Sequence, residues 1–321
     1  MRTTDEYLSI IEPAIKDLDI PEEPAGLYAP IVYTLSGGGK RLRPMLTLAS
    51  CEAFGANALK ALSQALAVEM FHNFTLLHDD VMDRADMRRG RPTVHVKWDD
   101  RTAILSGDAM LTMSNILVRR GCTDRQRELT SALLDRTAME IYEGQQLDMD
   151  FEQRLDVTVD DYITMIRLKT SVLLGCACRL GAIMADAPEK ACEAMYAYGE
   201  KLGLAFQLQD DLLDTYGDPI IFGKEIGGDI LNDKKTWLLI NALNSDSTGV
   251  MRQEIASPSE PARKIERVRG VYDALGLPEK CHKLIERYVD EAVSELYKVG
   301  LTPAARDFFV NLAEKSRNRT H

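Results

Sequence analysis

The chain has 321 residues, 45% of them hydrophobic, and a formal net charge of −11 from 39 basic and 50 acidic side chains. That length can bury a sizeable core, and no shift in composition divides it, so a single domain over residues 1–321 is expected. The acidic balance argues against nucleic acid as a partner, because binding a phosphate backbone needs a net basic face.

From the N-terminus, the stretch MRTTDEYLSIIEPAIKDL mixes acids into its apolar residues, which excludes an ordinary secretory signal. No apolar run further on is long enough to span a bilayer, so no stable membrane insertion is expected. The six cysteines show no framework or zinc spacing and read as reduced thiols of a cytoplasmic protein. A glycine run opens SGGGKRLRP (36–44) and delivers Lys40, Arg41 and Arg43. It is not a nucleotide P-loop, since Arg41 stands where that motif needs Ser or Thr.

Leu59, Leu62, Leu66 and Met70 then recur at helical spacing, and the helix they predict runs into the acids of LLHDDVMD (76–83). RRGRP (88–92) reads as a breaker, and VHVKW (94–98) is the clearest strand-like alternation in the chain. Further breakers stand at YGDP (216–219) and FGKEIGGD (222–229). Asn244 to Pro261 reads as a surface connection, and Leu284, Tyr288, Ala292 and Leu296 form a second helical stripe. The pattern predicts an all-α fold of many helices joined by short turns.

Two acidic triplets share one shape: Asp79, Asp80 and Asp83, and Asp210, Asp211 and Asp214 in FQLQDDLLD. Three- and four-residue spacing gathers each set on one part of a helix. Two full negative charges about 6 Å apart repel by about 3 kcal/mol at an effective dielectric near 20. A solvated acidic face is the ordinary reading of one such triplet. Two of them, each following apolar residues, point instead to cations, and all-oxygen carboxylate sets suit Mg²⁺ or Mn²⁺ sharing its shell with substrate phosphates. Lys and Arg for those phosphates are present: Lys40 and Arg43, Arg88 and Arg89, Lys169 beside Thr170, and Lys224, Lys234 and Lys235.

On these motifs, from about Ser36 to Thr236, the chain resembles the trans-isoprenyl diphosphate synthases of the polyprenyl synthetase family. The resemblance implies an isoprenoid-synthase-type helical bundle around a deep central cavity, the two aspartate motifs facing each other across its mouth, and a homodimer. It implies that Asp79, Asp83 and Asp210 ligate Mg²⁺, three ions per site once substrate is bound, with Asp80, Asp211 and Asp214 in support. Lys40, Arg43, His72 and Arg89 resemble binders of isopentenyl diphosphate; Arg88, Lys169, Thr170, Gln207, Lys224 and Lys234 resemble binders of the allylic diphosphate. The family's last motif reads Glu-Gly-Lys-x-Thr where this chain has NDKKT (232–236), which leaves Lys234 or Lys235 as the phosphate ligand, Lys234 preferred. His78, His95 and His321 receive no role.

Product length is read from the helix ahead of the first triplet. Phe74 lies five residues before Asp79, about 7.5 Å along a helix axis, with Phe71 about 12 Å away. A bulky residue at the Phe74 position resembles the floor that stops elongation, whereas Phe71 reads as core. Thr75 is not aromatic as in eukaryotic farnesyl synthases, and DDVMD lacks the two extra residues usual in bacterial ones. The combination resembles geranylgeranyl diphosphate (C20) synthases, with farnesyl diphosphate (C15) as the alternative. A terpene cyclase, a non-catalytic partner subunit and a ferritin-like di-metal bundle, for which EMFH (69–72) and EKCH (279–282) would supply Glu-x-x-His pairs, are the weaker rivals.

Overall fold

A computed structural model describes residues 1–154, 156–217, 226–257 and 259–317. Lys224 and His321 lie outside the described residues. The architecture is all-α, as periodicity predicts. The chain divides into two units: Met1–Thr137 with Cys176–Tyr196 and Val299–Ala305, and Ala138–Gly175 with Ala197–Lys298 and the chain from Arg306 on.

In the first unit, α1 (Thr4–Lys16) opens on a capping box in which Thr3 and Glu6 satisfy each other's backbone N–H groups. α2 (Ala25–Leu35) and α3 (Leu42–Ala53) follow, and a 3₁₀ turn (Ala58–Ala61) leads into α4 (Leu62–Met82). After a short hairpin come α5 (Val94–Lys97), α6 (Asp100–Val118) and the start of α7 (Asp124–Glu152). α4 and α6 approach closely at Gly107, where an added Cβ would stand 2.2 Å from His78 Nε2. The unit is tied together around Arg41, only 3% exposed. Its guanidinium donates to Glu12 at 2.9 Å, Glu69 at 2.6 Å and the Leu35 carbonyl at 2.9 Å, which joins α1, α4 and the end of α2 through one buried charge.

In the second unit, the rest of α7 is followed by α8 (Val159–Ile166), a π-helical segment (Arg167–Ser171) and the first residues of α9 (Val172–Met184), whose residues from Cys176 on belong to the first unit. The π segment is seated against backbone that has no side chain to spare: a Cβ on Gly144 would lie 2.3 Å from Lys169 N, and one on Gly203 2.6 Å from Ser171 Cα. π turns of this kind widen one helical turn and re-aim its side chains, here Lys169 and Thr170. α10 (Glu189–Tyr216) carries the second triplet near its end, and shorter helices follow, including Gly228–Leu231, Trp237–Ser245 and Pro261–Ala274. The long helix Leu277–Leu296 buries Tyr288, Ala292 and Leu296, as the stripe predicts.

Four local expectations are corrected. Val94–Lys97 is a helical turn rather than a strand, because the Trp98 N–H closes back on the Val94 carbonyl at 2.8 Å. The only strand pairing among the described residues lies in the breaker just before it, Met87–Arg88 against Arg91–Pro92, since Arg89 (φ +52°) and Gly90 (φ +72°) both adopt the left-handed conformation that a two-residue hairpin turn demands. Leu59 is exposed on the 3₁₀ turn, and the helical stripe starts only at Leu62. The connection from Asn244 contains a helix, Val250–Ala256, that buries Met251 and Glu254.

None of the six cysteines forms a disulfide, and burial pushes the Cys51 thiol up to about 11 and the Cys178 thiol to about 12. Among the described residues no helix is long and apolar enough to cross a membrane.

Breaking a buried ion pair by removing one partner is expected to cost about 3–5 kcal/mol. Arg41→Met should therefore lower the midpoint of urea unfolding by a corresponding amount, and an unchanged midpoint would remove Arg41 from its place at the centre of the first unit.

Candidate active site

The first triplet sits where α4 ends. Arg84, at φ +53°, reverses the chain, and the Ala85 N–H reaches back to the Asp80 carbonyl at 3.0 Å, which closes a Schellman turn with Asp83 as the C-cap. The three carboxylates are divided by this geometry. Asp80 is 5% exposed and accepts Arg88 Nε and Nη2, each at 2.7 Å, whereas Asp79 is half-buried and Asp83 exposed. Burial raises the Asp80 carboxyl above its ordinary range, and Arg88 only partly opposes it.

The hairpin fixes the two arginines on different partners. Arg88 points to Asp80, while Arg89 donates through Nη1 to the Gly38 carbonyl. The glycine run is needed there: Gly39 has φ +139°, and a Cβ on it would approach the Arg89 guanidinium carbon to 3.1 Å. Arg43 Nη1 lies 3.3 Å from His72 Nε2. Burial, and then Arg43 and Arg89, hold His72 well below its usual range, so the neutral ring accepts from Arg43. Lys40 is exposed at the rim of the same loop. Arg41, its neighbour, is instead consumed in the buried network, and so is Glu69, which also accepts Asn73 Nδ2 at 3.1 Å. A Glu69–His72 metal pair of the ferritin-like kind has no place in this arrangement, and His282 of the second Glu-x-x-His pair is exposed.

On α4, Phe74 is 5% exposed and Phe71 fully buried. Their rings meet edge to face at 5.4 Å, and Phe74 meets His78 in the same manner at 4.9 Å. Thr75 turns its hydroxyl back to the His72 carbonyl at 2.9 Å.

In the second unit, the Thr170 hydroxyl donates to Gln207 at 3.2 Å, Gln207 donates to Asp211 at 3.1 Å, and the buried Tyr162 hydroxyl donates to the other Asp211 oxygen. Burial and the nearby Asp229 carboxylate push Asp211 up to about 7, against Lys234, Tyr162 and Gln207. Asp214 accepts the Asp229 N–H at 2.9 Å, and its carbonyl accepts the Gly227 N–H at 2.7 Å, so the turn at 227–229 is fastened to the triplet. Lys169 Nζ is 2.5 Å from Asp148. The two lysines of NDKKT diverge: Lys234 lies 3.9 Å from Asp229 with 44% of its side chain exposed, whereas Lys235 is 7% exposed and donates to the Asp233 carbonyl at 3.0 Å.

Asp148, Tyr162 and Asp229 carry no motif and were not legible as site residues; only their contacts identify them. Among the described residues no three acidic, His or Cys side chains converge as a ready cage for a metal ion. The donors present at each triplet are hard carboxylate oxygens, which fit a divalent cation that takes one or two protein ligands and fills its shell from water and diphosphate.

A family profile described as polyprenyl synthetase matches residues 24–275. A geranylgeranyl diphosphate synthase of Methanosarcina mazei is 42% identical over 235 residues, 73% of this chain and 72% of its own length. A crystal structure of a geranylgeranyl pyrophosphate synthase is 43% identical and has a TM-score of 0.95 over 100% of both chains. The polyprenyl synthase of Caulobacter crescentus CB15, solved in complex with calcium and isoprenyl diphosphate, is 29% identical with a TM-score of 0.88 over 99% of this chain and 96% of its own. With this fold and these motifs in the same chain, the protein belongs to the polyprenyl synthetase family of prenyltransferases.

Proposed function

We propose that the chain is a geranylgeranyl diphosphate synthase that joins isopentenyl diphosphate head to tail with an allylic diphosphate and stops at C20. The observation that carries the length assignment is Phe74, a buried aromatic five residues ahead of Asp79 on the same unbroken helix and braced edge-on by Phe71 and His78. The name shared by the Methanosarcina mazei relative and the solved synthase of 43% identity supports the same reading.

In this reading Asp79, Asp83 and Asp210 hold Mg²⁺. When bound, Mg²⁺ neutralises the allylic diphosphate so that it can leave as an anion. Lys169, Thr170, Gln207 and Lys234 bind that diphosphate, with Arg88 and Lys224 assigned alongside them. Lys40, Arg43, His72 and Arg89 hold isopentenyl diphosphate, and the neutral His72 serves as an acceptor that orients Arg43. Ionisation of the allylic C–O bond leaves a delocalised cation, which apolar walls protect from water. The double bond of isopentenyl diphosphate attacks it, and a proton passes to the departed diphosphate to restore an alkene. No side chain acts as a nucleophile.

The whole chain acts as one synthetase domain, in a reduced cytoplasmic setting that suits cysteines with no disulfide among them. The exposed apolar residues of α6, Ile104, Leu105 and Ile116, support a homodimer.

Three measurements test this. Incubation with Mg²⁺, isopentenyl diphosphate and, in turn, dimethylallyl, geranyl and farnesyl diphosphate should give one C20 end product by mass; a stop at C15 would move the floor, and starter consumed without elongation would favour a cyclase. Asp79→Ala should reduce turnover by at least about 10²-fold, and full turnover would sink the metal assignment. In Phe74→Ala the main product should lengthen beyond C20; an unchanged length would take the floor away from Phe74.

A further inference from the structure

The turn that carries Lys234 is built around a residue in an unfavourable conformation. Asp233 stands at φ +49°, the left-handed region that suits glycine best and that aspartate adopts at a modest cost when its neighbours hold it there. Two ammonium groups grip it. Lys264 Nζ, from the helix Pro261–Ala274, lies 2.8 Å from the Asp233 carboxylate and donates at 3.2 Å to the Leu231 carbonyl. Lys235 Nζ donates to the Asp233 backbone carbonyl at 3.0 Å. Both lysines are buried, Lys264 at 3% exposure and Lys235 at 7%, so neither belongs to a screened surface pair.

Lys234 lies between the gripped aspartate and Lys235. Its N–H is fastened to the Asp229 carbonyl at 2.9 Å and its carbonyl accepts the Thr236 N–H at 2.7 Å, while its ammonium reaches toward Asp229. The backbone on both sides of Lys234 is thereby fixed. We infer that Lys264 is a positioning residue for Lys234: by holding Asp233 in its left-handed turn it sets the affinity for the allylic diphosphate without touching that substrate. This inference rests on the reading of Lys234 as an allylic diphosphate ligand.

A lysine that merely filled the second unit's interior would affect folding and nothing else. The test is therefore a split between the two substrates. Lys264→Met removes the charge and keeps the bulk; it should raise the KM for the allylic diphosphate about tenfold and leave that for isopentenyl diphosphate within about twofold. Asp233→Gly combined with Lys264→Met removes the strained residue together with the charge that restrains it, and should bring the allylic KM back to within about twofold of the parent. This double variant has no buried unpaired charge and keeps the test open even where Lys264→Met folds poorly. A Lys264→Met protein with lowered Tm and unchanged KM values, or a double variant no better than the single one, would overturn the inference. Lys234→Ala separates the two claims: it should raise the allylic KM, and if it does not, the assignment of Lys234 itself fails.

Discussion

Carboxylates at the C-terminal end of a helix are opposed twice, by one another and by the negative end of the helix dipole. Asp79, Asp80 and Asp83 meet both penalties where α4 stops, and Asp210, Asp211 and Asp214 meet them in the last turns of α10. Much of the surrounding structure answers this one constraint. Arg88 covers Asp80, Tyr162 and Gln207 donate to Asp211, and the Asp229 N–H is turned onto Asp214. In each triplet the inner carboxylates are thus partly neutralised by the protein. In the proposed function a metal-bound diphosphate adds the further positive charge that such clustered carboxylates favour.

The supports for these charges are made at turns more than in helices. Of the five non-glycine residues at positive φ among the described residues, Arg41, Arg84, Arg89 and Asp233 all flank the acidic or basic motifs. Left-handed residues of this kind persist only where neighbours over-determine them. Arg41 has three acceptors, Arg84 closes a Schellman turn and pairs with Asp100 at 2.7 Å, Arg89 is caught by Gly38, and Asp233 by two lysines.

The parts of the site that depend on local spacing were legible in the sequence. Helical periodicity brings each triplet to the end of a buried helix, and the structure has both there. The partners of each charge were not legible, because they come from distant positions. Arg41 and Arg43 look equivalent in GGGKRLRP, yet one is buried against Glu12 and Glu69 and the other faces His72. Lys234 and Lys235 are separated only by the turn that sends one outward and one inward. VHVKW misled because two buried-type valines at alternate positions suit a strand, but the preceding extended Thr93 and the closure of Trp98 onto Val94 make a helical turn with only Val94 inside. RRGRP was read as a break in structure when its Arg-Gly pair is itself the two-residue turn of a hairpin.

That α4 is unbroken from Phe74 through Asp79 bears on how such a chain can change over evolutionary time. Each residue inserted into a helix rotates everything before it by about 100° relative to everything after it. An insertion or deletion between Phe74 and Asp79 would swing the aromatic out of line with the acids while leaving both intact. Exchange of one side chain for another keeps the alignment. On the reading of Phe74 as the floor, point substitutions on this helix are therefore the changes that would shift product size while keeping floor and acids aligned.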